Sequence, residues 1–258
     1  MSTPKVDDVN GAKGGAASRP KLASRLLSGT RSVLEILALL AVLAASVLIV
    51  KELWPRADTQ REPVRPLPLP AGTLSLAGAP QKGSADALAV MIIYSDFQCP
   101  FCGKFARETL PQIEKRFVGT GLLALAFRNM PLEGAHPLAL KAAEAGLCAN
   151  RQDRFWQWHD AFFMSRLAPE REVLHRVSAE VGLDMLEFGR CVGGGDWTSQ
   201  VKDEARNAAE LGVLGTPTFV FGVREDEGGK ALSMFSGSRH FRDFEAAIDD
   251  LVGQTANR

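Results

Sequence analysis

The chain has 258 residues, 30 basic and 30 acidic side chains, four cysteines and 46 % hydrophobic residues. That length holds one domain plus an appendage. The balanced charge leaves no electrostatic footprint for nucleic acid or any other polyanion, so no nucleic-acid partner is expected.

Residues 1–31 are rich in Gly, Ala, Ser and charge, without apolar periodicity, and read as a disordered tail. From Ser32 to Val50 the only charge is Glu35, and Arg31 and Lys51 flank the run. A helix of that length spans about 28 Å, the thickness of a bilayer core, so residues 32–53 read as a transmembrane anchor. A cleaved signal peptide is the alternative. Val42-Leu43-Ala44 resembles a cleavage site, but the apolar run continues through Val50, and the preceding charged tail is long for a signal peptide. Basic residues flank the run on both sides, which leaves orientation to other arguments. Residues 54–84 follow as a spacer: five prolines among charges between Trp54 and Pro70 describe a stiff, solvated segment. The lead-in from Ala71 to Ala87 has room for a short edge strand at Thr73 to Leu76.

Leu88 to Tyr94 is a continuous apolar run of strand length. It breaks into a turn and delivers Cys99-Pro100-Phe101-Cys102 to a helix expected over Gly103 to Phe117. Pro100 is tolerated in a first helical turn, where its missing N–H has no partner to lose. The Cys99 sulfur then faces unpaired amides and the positive end of the helix dipole. A thiolate is stabilised there, and its pKa can fall from about 8.5 into the range of about 3.5–7.5. Cys102, one turn further in, is expected to be more buried and placed to resolve a mixed disulfide. The competing reading is half a zinc site, which needs two further ligands at zinc spacing. Cys148 and Cys191 are far apart, and His136, His159, His175 and His240 form no HxxxH or CxxH pattern. A redox pair is therefore the reading taken, with no metal and no cofactor.

Leu122 to Arg128 is a second apolar run, and strand, helix, strand makes a βαβ unit with a parallel pair. Asn129 to His136 reads as loop. From Pro137 to about Gly212 the period is helical, first over Leu138 to Cys148, then over Phe155 to Phe163, Val173 to Val181 and Val201 to Leu211. Gly182, Gly189 and Gly193 to Gly195 punctuate these segments. Phe155, Trp156, Trp158, Phe162 and Phe163 read as core. Leu214-Gly-Thr-Pro217 leads into a hairpin, Thr218 to Val223 and Ala231 to Ser236, and Phe241 to Leu251 closes the domain as a helix.

This order of elements resembles the DsbA-like branch of the thioredoxin superfamily. The phrases that match are Ser95-Asp-Phe-Gln-Cys-Pro-Phe-Cys102, Phe155-Trp156 with His159-Asp160, and Leu211-Gly-Val-Leu-Gly-Thr-Pro-Thr-Phe219; the resemblance covers Ala85 to Leu251. It implies an α/β fold: a thioredoxin fold at 85–136 and 212–252, with an all-helical subdomain inserted at 137–211, preceded by one N-terminal transmembrane helix. In that family the Thr-Pro bond is cis and lies beside the sulfurs. Carried over, Thr216-Pro217 is the cis bond, and the Thr216 backbone pairs with a substrate strand; an ordinary trans proline is the alternative. The catalytic pair implied is Cys99 and Cys102, supported by Pro100, Phe101, Thr216 and Pro217. Related proteins often carry a structural disulfide at the places of Cys148 and Cys191, and that pairing is expected here, two buried free thiols being the alternative.

Two departures from the family pattern stand out. Many members carry a buried acid six residues before the first cysteine, where this chain has Ile93; Asp96 could substitute but reads as a cap or turn residue. The strongest oxidants place a His between the cysteines, where this chain has Phe101, so a potential less oxidising than about −120 mV is expected.

The activity implied is dithiol oxidation of extended or unfolded secreted proteins. A membrane redox partner recycles the pair, and the chain is expected to be a monomer. Redox disulfides operate outside the cytoplasm, which places residues 1–31 inside and the folded domain outside a bacterial inner membrane. Disulfide reduction or isomerisation is the runner-up. A tethered thiol-based metallochaperone is a third reading, disfavoured because Phe97, Phe101 and Phe105 around the motif suit an apolar peptide-docking surface.

Overall fold

A computed structural model describes residues 23–53, 68–69, 75–225 and 228–256. The chain divides into two units, Met1–Arg61 and Glu62–Arg258. In the first, α1 (Ala23–Leu53) starts ahead of the apolar run. Within it Val33–Lys51 is 19 residues long with mean hydropathy 2.9, long and apolar enough to cross a membrane. Most of the expected tail, residues 1–22, and most of the spacer, residues 54–67 and 70–74, lie outside the described residues.

The second unit is built on a five-stranded sheet of order β1-β3-β2-β4-β5: β1 (Gln81–Lys82), β2 (Ala89–Ser95), β3 (Leu123–Asn129), β4 (Thr218–Glu225) and β5 (Gly228–Ser236). The β2–β3 pair is parallel and the β4–β5 hairpin antiparallel, while β4 runs antiparallel to β2. Every residue of β2 is buried, as a strand covered on both faces requires. Its period of two sends Met91 and Ile93 into the larger core with the helices, and Val90, Ile92 and Tyr94 into a second core on the opposite face. The edge strand expected at Thr73 to Leu76 is not seen among the described residues of that stretch. Ser75 and Leu76 are outside any strand, Thr73 and Leu74 lie outside the described residues, and Gln81–Lys82 pairs with β3 instead.

The helix after the cysteines is shorter than its apolar pattern suggests. α2 (Pro100–Glu108) ends at Thr109, α3 (Leu110–Ile113) follows, and Glu114–Val118 closes as a π-helical turn. Pro111 explains the interruption, because its ring cannot donate and crowds the carbonyl four residues earlier. The helical insertion comprises α4 (Ala139–Asn150), α5 (Phe155–Ser165), α6 (Arg171–Glu180), α7 (Met185–Gly194) and α8 (Thr198–Glu210). Here α7 departs from the sequence reading, which took Gly189 and Gly193 as breaks. Asp184 caps the helix by accepting from Leu186 N and Glu187 N, both at 2.9 Å, and the two glycines are helical. Gly195 ends it at φ 67, the left-handed stop that glycine adopts without strain. Cys148 of α4 and Cys191 of α7 form a disulfide. The five aromatic residues at 155–163 are buried, with Phe97 stacked on Phe127 and Phe163 in their midst. α9 (Phe241–Ala256) packs Phe244 against Phe219 and Phe105.

A buried ion pair ties the insertion back to the sheet. Arg128 of β3 meets Glu204 of α8 at 2.9 Å, and the other Glu204 oxygen accepts from Asn129 N and Nδ2 at 3.0 and 2.9 Å. Arg128 Nη2 also donates to the carbonyls of Ser75 and Ala77, which holds the lead-in across the sheet. Removing one partner of such a pair strands a buried charge. Arg128→Met is therefore expected to lower unfolding free energy by about 3 kcal/mol, read by urea titration of the full-length protein in non-ionic detergent. A loss below about 0.5 kcal/mol, the range of an ordinary surface substitution, would show that water already reaches the Glu204 carboxylate.

Candidate active site

The sheet register decides what meets at the cysteines. Tyr94 pairs with Thr218 and Ser95 with Asn129, so the turn leaving β2 starts beside the residue that follows Pro217. The Thr216–Pro217 bond is cis. The turn itself is organised by Asp96, whose side chain is fully buried. Its carboxylate accepts from Gln98 N at 2.7 Å and Leu132 N at 2.9 Å, and pairs with His136 Nδ1 at 2.7 Å. Its carbonyl accepts from Cys99 N at 3.1 Å, and its own N–H points at Cys102 Sγ at 3.5 Å. Gln98 Oε1 accepts from Leu138 N at 2.8 Å, a second tie between the turn and the loop after β3. Asp96 is thus the turn residue its spacing suggested, and also the hub that fastens the motif to a segment 40 residues away.

Cys99 is the N-cap of α2, with Pro100 at N1, and its side chain caps nothing. Its sulfur lies 3.5 Å from the Thr216 carbonyl. Thr216 Oγ1 is buried without a hydrogen-bond partner, which leaves it free to donate to a Cys99 thiolate. The Cys99 pKa is pulled down to about 6, foremost by a hydrogen bond from the Cys102 thiol. Backbone N–H groups of Cys102 and Phe101 and the Thr216 hydroxyl add to this, against the opposing cost of burial. Cys102 is 1 % exposed. Burial first, then the hydrogen bond to Cys99 and its charge, push this thiol well above the ordinary range, opposed by the Ser95 hydroxyl and the Asp96 N–H. One proton therefore resides on the inner sulfur, and the outer sulfur is the thiolate at neutral pH. Ile93, at the position where the family pattern has a buried acid, is 1 % exposed and part of the core.

The surroundings differ from an all-aromatic docking surface. Phe97 and Phe105 are buried, Phe97 among the rings of α5 and Phe105 against Phe219 and Phe244. Of the three rings only Phe101, 61 % exposed, projects from the surface, and Leu214, 84 % exposed, stands just ahead of the cis-proline turn. On the other side, Cys99 and Pro100 border a cleft of about 400 Å³ that extends to the end of α5. Among the described residues no group of three His, Cys, Asp or Glu side chains could hold a metal ion.

The family model Thioredoxin_4, described as thioredoxin, matches residues 77–250. The chain belongs to this thioredoxin family. Among solved structures it is similar to α-DsbA1 of Wolbachia pipientis, with 24 % identity and a TM-score of 0.62 over 70 % of this chain and 94 % of that one. It is also similar to oxidised BdbD of Bacillus subtilis, with 20 % identity and a TM-score of 0.60 over 72 % of this chain and all of that one. These likenesses place the second unit in the DsbA-like variant of the thioredoxin fold. A curated relative, the Na(+)/H(+) antiporter NhaA 1 of Mycobacterium sp. (strain KMS), is 31 % identical over 149 residues, 57 % of this chain. The chain spans about a quarter of that relative's length, 24 %.

Of the residues singled out from the sequence, Cys99, Cys102, Pro100, Phe101, Thr216 and Pro217 share this corner of the thioredoxin-family fold, while Cys148 and Cys191 bridge the insertion elsewhere. The Asp96–His136 tie and the Gln98–Leu138 bond were missed, because nothing local in the sequence links residues 40 apart. The Cys99 value sets a measurable profile. Alkylation of the reduced full-length protein by iodoacetamide is expected to rise with pH about a midpoint near 6, with label on Cys99 and none on Cys102. A midpoint near 8.5, the value of an ordinary thiol, would mean that the helix terminus and the inner thiol do not stabilise the anion.

Proposed function

We propose that the protein is a thiol–disulfide oxidoreductase that exchanges disulfides through Cys99 and Cys102, most directly as a dithiol oxidase. The observation that carries this is the asymmetry of the two sulfurs, one held near pKa 6 at a helix N-terminus beside the Thr216 carbonyl, the other buried and protonated. In the oxidising direction a substrate thiolate attacks Cys99 Sγ of the Cys99–Cys102 disulfide. The bond between the two enzyme sulfurs breaks, and Cys102 leaves as a thiolate and takes up a proton. A second substrate thiolate then attacks the substrate sulfur of the mixed disulfide, closes the substrate disulfide and releases Cys99 as its stabilised thiolate. Two electrons pass to the enzyme pair, and a redox partner must remove them.

Several features support the roles proposed. A low pKa makes Cys99 a good leaving group and stabilises the reduced enzyme, the property that makes a disulfide oxidising. The Thr216 carbonyl beside the sulfur, exposed Phe101 and exposed Leu214 suit an extended chain laid over the cis-proline turn, with Pro100 and Pro217 shaping that surface and the 148–191 bridge serving a structural role. The substrates in this reading are extended or unfolded secreted proteins, met by a monomer. In it residues 32–53, which include the apolar span Val33–Lys51, are a membrane anchor, residues 1–31 are cytoplasmic, 54–84 a spacer, 85–136 and 212–252 the thioredoxin-like part and 137–211 the insertion, on the outer side of a bacterial inner membrane.

A Cys99 pKa of about 6 lies between about 7 for thioredoxin and about 3.5 for DsbA. The reduction potential of the pair in the full-length protein, equilibrated in glutathione buffers, is accordingly expected above about −200 mV. A value near or below about −270 mV would make the protein a reductase and overturn the oxidase direction.

A further inference from the structure

The cleft beside Cys99 carries a charge pattern that disulfide exchange as such does not use. Two of its lining side chains, Arg107 and Arg166, are cationic and none is acidic, while Phe163 and Leu167 supply apolar walls. Arg107 comes eight residues after Cys99, yet its guanidinium folds back along α2. Its Nη1 donates to the Phe163 carbonyl at 3.0 Å and lies 2.7 Å from where a Cβ on residue 103 would stand. Gly103 therefore leaves room for it, and a side chain at that position would make the guanidinium shift. Residue 103, against which the guanidinium lies, comes one turn after Cys99, a rise of about 6 Å, or about two residues of extended chain. Arg107 Nε is buried and has no hydrogen-bond partner. Among the described residues neither arginine forms an ion pair. Arg166 ends α5 in the left-handed region at φ 56, a position where glycine is the usual choice, and is exposed at the cleft rim.

A buried guanidinium donor without an acceptor is costly, and a carboxylate is the group whose two oxygens match its fork. We propose that this cleft is a carboxylate-binding subsite that selects extended polypeptide substrates carrying Asp or Glu within about two residues of the reacting cysteine. The inference rests on the exchange reading above and names the substrate chemistry that the same corner prefers.

The test follows the first exchange step, in which the peptide thiolate bonds to Cys99 Sγ, the Cys99–Cys102 bond breaks, and Cys102 is reduced to a thiolate protonated from solvent. Full-length oxidised protein in non-ionic detergent is mixed with single-cysteine peptides that differ only in Glu, Gln or Lys two residues from the cysteine, on either side. Each rate is divided by the same peptide's rate with hydroxyethyl disulfide, which removes the effect of the neighbouring charge on the thiol itself. The Glu peptide is expected to exceed the Lys peptide by about tenfold at low salt, the ratio shrinking toward one near 1 M salt. Arg107→Gln and, at its exposed position, Arg166→Gln are each expected to narrow that ratio. Equal normalised rates for the three peptides, all far above unity, would overturn the subsite and leave exchange intact. A ratio unchanged in both arginine variants would overturn it as well. No acceleration of any peptide over hydroxyethyl disulfide would sink the exchange reading, and the subsite with it.

Discussion

The central strand β2 is buried on both faces, and what meets at the cysteines is registered on it. A strand with no solvated face cannot slip by one residue without sending Met91 and Ile93 to the wrong core. Because its register is held this firmly, its C-terminal end delivers the 96–99 turn to one place only. There the parallel neighbour β3 sends out the loop that ties back to Asp96 and Gln98, and the antiparallel neighbour β4 begins directly after the cis-proline. The site is therefore a corner where three connections converge on the end of one strand, as is general for open α/β sheets.

At that corner the two sulfurs are made unequal by burial more than by charge. Cys102 lies under the first turn of α2, where desolvation holds its proton, and that proton in turn serves as a hydrogen-bond donor to Cys99. The helix N-terminus adds two backbone donors. No side-chain cation is needed to stabilise the anion, which is how Phe101 can occupy a position where the strongest oxidants of the family pattern carry a histidine. With an isoleucine in place of the buried acid, the nearest buried carboxylate on the turn is Asp96, fully engaged by Gln98, Leu132 and His136. Its part is to hold the turn.

The insertion serves the same corner from the far side. Its α5 contributes the aromatic layer that encloses Phe97 and one wall of the cleft, while the disulfide between α4 and α7 and the Arg128–Glu204 pair fasten the insertion to itself and to β3. A cleft between two such fastened parts is held in shape, as the proposed binding of an extended chain there requires.

By itself the sequence determined the elements and their chemistry. Continuous apolar runs marked β2 and β3, the helical period marked the insertion, and a CxxC after a strand marked the cysteine pair at the start of a helix, since each rests on local spacing that survives without knowledge of the fold. Local spacing misled where neighbours override it. Pro111 broke a helix that the apolar pattern continued, an aspartate cap made α7 out of a glycine-rich stretch, and Phe97 and Phe105 vanished into the core. Only the tertiary structure decided that Asp96 reaches His136, that Thr216 presents its carbonyl to Cys99, and that Arg107 folds back over Gly103 into the cleft. These contacts join residues far apart in sequence or depend on the packing around a missing side chain. No periodicity records them, because they exist only once the sheet has set its strands in register.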